Sequence, residues 1–93
     1  MNIDKITKGI ITEIDEFIND KLILKDQIAS YIVGSTMMRD DYDDIILVEP
    51  KIEILANAAA DLEIISAKDK FYTNYYFTEI IELIKQIKEK YNC

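Results

Sequence analysis

Apolar residues recur at steps of three and four through the start of the chain, at Ile3, Ile6, Ile10, Ile14, Phe17 and Ile18, with polar residues between them. This spacing places them on one stripe of a helix and predicts a first helix over residues 3–19. Gly9 interrupts it at a cost of about 1 kcal/mol relative to alanine, and Asn19 and Asp20 supply turn chemistry at its end. A second stripe, Leu24, Ile28, Tyr31 and Ile32, predicts a helix over 24–33 that could run on through Met37 and Met38 to Arg39. Gly34 sits where a left-handed C-cap is favoured.

The run Arg39 to Asp44 (RDDYDD) crowds like charges without apolar spacing, which predicts a loop or a frayed helix end. Ile45, Ile46, Leu47 and Val48 form a short apolar run readable as strand or helix. Helix is favoured because no second strand candidate exists to pair with it. Pro50, the only proline, suits the first turn of a helix with the face Ile52, Leu55, Ala56, Ala59 and Leu62. Ser66 followed by Asp69 resembles a capping box, so a last helix begins there or near Thr73. Its predicted inner side carries Phe77, Ile80, Ile81, Ile84, Ile87 and Tyr91, with Glu79, Glu82, Lys85, Lys88 and Glu89 outside. Four amphipathic segments on short links predict an all-α fold, a compact antiparallel four-helix bundle, as one domain over residues 1–93.

Composition narrows the function. With 93 residues the chain can build one core, and 49% hydrophobic residues suffice to fill it. No apolar run reaches the roughly 18 residues of a membrane span, and the first twenty residues interleave acids with isoleucine instead of showing a signal peptide, so a cytoplasmic location without membrane contact is expected. The single cysteine, Cys93, has no partner thiol or histidine, so disulfide and zinc readings fail.

The net charge of −7 is regional. Between Ile10 and Glu49 ten acids (Glu13, Asp15, Glu16, Asp20, Asp26, Asp40, Asp41, Asp43, Asp44, Glu49) face three bases (Lys21, Lys25, Arg39), a balance of −7, while the flanking segments nearly cancel. Such a field steers a basic partner and repels phosphates, which argues against nucleic-acid binding.

The chemistry-bearing residue types are sparse. The chain has no histidine, which removes the commonest general base and metal ligand. Its two glycines, Gly9 and Gly34, are too far apart to form a phosphate-cradling loop. Paired carboxylates could do acid–base work only inside a groove. No cofactor and no enzymatic activity are expected. The aspartates fail the calcium-loop template as well: starting at Asp40 puts Tyr42 third and Lys51 twelfth, and starting at Asp41 puts Ile45 fifth.

Two clusters remain as candidate partner-binding sites. Asp40, Asp41, Asp43 and Asp44 surround Tyr42, an anionic patch suited to arginines on a basic partner, or else simply a solvated loop. Phe71, Tyr72, Tyr75, Tyr76 and Phe77 put five aromatics within seven residues. On a helix Tyr72, Tyr75 and Tyr76 share a face while Phe77 turns toward the core, so some tyrosines should stay exposed, either as binding hot spots or as a cap on the bundle.

The order of a helical stretch, ITEIDEFINDKLILKDQIASYI, an acidic loop, a proline-started helix, PKIEILANAAADLE, and a last helix, FTEIIELIKQIKEKY, resembles the small immunity proteins of the colicin D type. The resemblance rests on helix order, size and charge, and no residue carries over by identity. It implies a four-helix bundle that neutralises a tRNA-cleaving toxin by covering its basic active site. The leading expectation is thus an immunity or antitoxin-like inhibitor, nominated through Asp40, Asp41, Tyr42, Asp43, Asp44, Tyr72, Tyr75 and Tyr76. A phage-type nuclease inhibitor mimicking nucleic acid is a close relative of this idea. The alternative from another class is a structural or assembly protein that forms homodimers through the aromatic surface, whereas an inhibitor should be monomeric when free.

Overall fold

The computed structural model describes residues 2–20, 24–65 and 69–91. Among the described residues there are five α-helices and no strand: α1 (Ile3–Ile18), α2 (Lys25–Ser35), α3 (Tyr42–Val48), α4 (Lys51–Ile64) and α5 (Lys70–Tyr91). The all-helical expectation holds, but the helix count differs from the expected four. Residues 45–48 are helical, as favoured, and the run 39–44, expected as a loop or frayed helix end, divides: residues 39–41 form a bend and turn, while residues 42–44 open α3. Asp43 and Asp44 occupy its first turn, where carboxylates meet the positive end of the helix dipole, and this offsets the like-charge repulsion that argued for a loop.

Local chemistry accounts for most of the helix ends. Asn2 caps α1, its side-chain oxygen accepting from the Lys5 amide at 3.1 Å. Leu24 has no side-chain acceptor, so α2 starts with only the reciprocal half of a capping box, Gln27 Oε1 accepting from the Leu24 amide at 3.0 Å. The helix then runs through Gly34, which is not left-handed, and ends at Ser35. The buried Thr36 hydroxyl closes that end by donating to the Ile32 carbonyl at 2.7 Å, work the sequence reading had assigned to a glycine cap. Pro50 lies one position before the first residue of α4, with φ −59° already helical. Asp69 caps α5 by accepting from the Tyr72 amide at 3.2 Å, so the helix begins between the two expected starts; Ser66 lies outside the described residues.

The helices α1, α2, α4 and α5 pack in a ring, each against the next, and α3 lies across α1 and α4. All five contribute to one core, including the fully buried Ile11, Ile14, Ile32, Ile45, Ile52, Leu55, Ile80 and Ile87. Each such side chain contributes roughly 1.5–3 kcal/mol by leaving water. Ala56 and Ala59 are fully buried where α4 sits between α2 and α5, since small side chains let backbones approach. On α5 one expectation fails: Ile81 is 39% exposed, and Leu83 takes its place inside with Ile80, Ile84 and Ile87. Steps of three and four from Ile80 lead to Leu83, Ile84 and Ile87, and Ile81 lies a further 100° round the helix.

Polar links tie distant elements together. Phe17 and Tyr31 stack at 4.1 Å between α1 and α2. Lys25 donates to Asn74 Oδ1 at 2.6 Å and sits 5.0 Å above the Phe77 ring, joining α2 to α5. Lys88 donates to Asp15 at 2.7 Å, joining α5 to α1.

Candidate functional site

The Asp40–Asp44 cluster divides in the structure. Asp41 is spoken for: Arg39 grips it with two hydrogen bonds, 2.8 Å from Nε and 3.1 Å from Nη2. That grip pulls the Asp41 carboxyl below its ordinary value and raises the Arg39 guanidinium. Tyr42 turns inward, half-buried against the core, so it is not the centre of an outward patch as expected. Burial pushes its hydroxyl pKa up, reinforced by Glu53 and then Asp43. Asp40, Asp43 and Asp44 are exposed and make no ion pair among the described residues.

A short amphipathic helix produces this arrangement. Tyr42, Ile45 and Ile46 give α3 its inner face. Asp43, Asp44 and Leu47 fall on its outer face at spacings of three and four, continuing the line from Asp40. Leu47 is 80% exposed, an apolar side chain beside unpaired carboxylates. Met38, in the turn after α2, is also exposed. Two further acids belong to the same field without having been nominated. Glu53 on α4 acts on Tyr42, and Glu13 on α1 acts on Arg39. Only the fold brings them near, so no local spacing in the sequence signals them.

Not every acid of the Ile10–Glu49 stretch adds to the surface. Asp15 is paired with Lys88, and Glu49 is buried with Lys90 Nζ 3.3 Å from its Oε1. That contact is Coulombic, because among the described residues Oε1 lacks a partner in hydrogen-bond geometry, as does the buried Tyr91 hydroxyl nearby.

The aromatic cluster lies along the first turns of α5. Tyr72 and Tyr75 are 51% and 57% exposed, and Phe71 is 72% exposed. Edge-to-face contacts link Phe71 to Tyr72 at 5.2 Å and Tyr75 to Tyr76 at 5.3 Å. Tyr76 does not share their exposed face. It packs against the core with Phe77, and loss of solvation, followed by Asp61, raises its hydroxyl pKa.

The structure does not bring the two clusters together. The acidic face sits on α3, which leads directly into the first turn of α4. The far end of α4 lines a groove with Leu24, Lys25 and Thr73, beside the start of α5. The 14-residue α4, about 21 Å long, runs between them.

Comparison with known protein families, curated proteins and solved structures finds no match to this chain. The site therefore stands on its geometry. Among the described residues no group of three or more potential ligands converges to hold a metal ion, and no helix is long and apolar enough to cross a membrane. Glu79 and Glu82 share a shallow groove on α5, but neither is buried, and an acid–base pair needs unequal, water-poor surroundings to divide its roles.

Proposed function

We propose that this chain is a binding protein of the immunity or antitoxin kind, which neutralises a basic partner, a nuclease toxin domain foremost, by laying the outer face of α3 over cationic surface. One observation carries the reading. Asp43 and Asp44 on α3, with Asp40 in the turn before it, stand exposed and without an ion pair among the described residues, beside the exposed Leu47, and the other side of the helix is anchored in the core by Ile45. Unpaired carboxylates need no internal ion pair broken before they meet arginine or lysine. The neighbouring Leu47 offers apolar area to bury at the centre of such a contact.

Glu13 and Glu53 widen the same negative field and favour fast encounter with a cationic surface. The role follows as a stoichiometric cover, not a catalyst.

Rescue tests the reading. Bacteria expressing a toxic basic protein encoded beside this chain's gene should survive when the chain is co-expressed, and the variant Asp40→Asn/Asp43→Asn/Asp44→Asn should lose that protection. Protection by the triple variant equal to wild type would remove the α3 face from the account. No protection by either would remove the inhibitor role.

A further inference from the structure

The outward side of α5 is a second surface, remote from α3. Phe71, Tyr75, Thr78, Glu79, Glu82 and Leu83 line a shallow groove of about 650 Å³ built from this helix alone. Its other side, through Ile80, Ile84 and Ile87, packs into the core against α1 and α4. The buried Leu83 edges the groove, and the groove's exposed apolar surface is Phe71 and Tyr75, both more than half exposed one turn apart. A helix that met only water there would carry polar residues at those positions.

Charge selects the occupant. Both ionised side chains lining the groove are glutamates, and the nearest polar contact is Gln86 donating to Glu82 at 3.3 Å. Lys85 lines a different groove, between α1 and α5. A second copy paired about a two-fold axis would bring four glutamates, two from each copy, into one seam lined by no lysine or arginine. An anionic lipid surface meets the same repulsion. A cationic helix with one apolar stripe fits both features.

We infer that the outer face of α5 docks a basic amphipathic helix of another protein, its apolar stripe on the exposed Phe71 and Tyr75 and its lysines or arginines on Glu79 and Glu82. This surface shares no residue with the α3 face, so the two stand or fall separately.

The probe is a fluorescent leucine–lysine peptide of about 18 residues, long enough for five helical turns, titrated with the full chain. The wild type should bind it saturably. Tyr75→Ser, and separately Glu79→Gln/Glu82→Gln, should each weaken binding at least about tenfold, as loss of an interface anchor does. Asp43→Asn/Asp44→Asn should leave it within about twofold. All the substituted residues lie at or near the surface, and circular dichroism equal to wild type separates lost binding from lost folding. Absence of saturable binding, or a loss that follows the α3 substitutions instead, overturns the inference. So does sedimentation showing a dimer that Tyr75→Ser dissolves, because the face then belongs to a second copy.

Discussion

Replacing Gly34 with alanine should stabilise the protein. The residue lies inside α2, exposed, and a Cβ built on it meets nothing within 4 Å. Its φ lies outside the left-handed region, so the methyl brings no backbone strain. The substitution removes chain freedom from the unfolded state and adds the best helix former, which together are worth about 0.5–1 kcal/mol. Because Gly34 sits one residue from the end of α2, the lower half of that range is expected. For a chain of 93 residues this raises Tm by roughly 2–4 °C. The competing expectation, a left-handed cap at Gly34, has the opposite sign, since alanine there costs about 1–2 kcal/mol. Paired thermal and urea unfolding of wild type and Gly34→Ala decides between them. A lowered midpoint would refute an α2 that runs through Gly34 to Ser35 and is closed by Thr36.

Other perturbations reach other parts of the fold. Ile45→Ala removes the fully buried anchor of α3 and should cost about 2–4 kcal/mol in urea unfolding, with amide exchange rising first in residues 42–48; uniform exchange across all helices would show that α3 does not open separately. Lys90→Ala should destabilise by about 1–2 kcal/mol, because Glu49 then keeps a buried charge without its cation, the effect moderated by the half exposure of Lys90. Glu49→Gln/Lys90→Ala should recover much of that loss, and a double mutant no better than Lys90→Ala contradicts the Coulombic assignment. Tyr42, Tyr76 and Tyr91 have folded pKa values raised above the ordinary value, first by burial, so the stability they contribute is complete below a pH of about 10 and lost as pH rises through their folded values. Alkaline titration followed by tyrosinate absorbance should therefore show these rings ionising late, together with loss of helical signal. Early ionisation of all six tyrosines with the helices intact would contradict their packing.

Much of this architecture is legible in the sequence, and the failures share a cause. The apolar stripes of α1 and α4 follow from spacing alone, and that of α5 does apart from Ile81, whose inner place Leu83 takes. The stripe on α1 is wider than the spacing suggested. Ile11 is fully buried beside Ile10, and Thr7 joins them because its hydroxyl donates to the Ile3 carbonyl at 2.8 Å. The apolar half of α3 is legible as helix, but its acidic first turn is not, because like charges weigh against a helix unless they stand at its start. At the first turn of a helix Asp43 and Asp44 are favourable, and seven residues are too few for periodicity to show.

The candidate site divides in the same way. That Asp40, Asp43 and Asp44 remain available while Asp41 does not depends on Arg39 reaching two residues forward, which the sequence permits without requiring. The neutralisation of Asp15 by Lys88 depends on a pairing of residues 73 apart that only the tertiary arrangement creates. The inward turn of Tyr42 follows once α3 is known to be a helix with Ile45 and Ile46 beneath it. The separation of the acidic and aromatic clusters is set by the course of α4 between them.

Stopped-flow mixing of the chain with a basic toxin domain of the kind proposed as its partner, at low and high salt, reads the α3 face most directly. For the wild type the association rate should fall by at least about tenfold as salt rises, and the variant lacking the charges of Asp40, Asp43 and Asp44 should start slower and respond less. Equal rates for both proteins, unmoved by salt, would mean that those carboxylates do not guide the encounter.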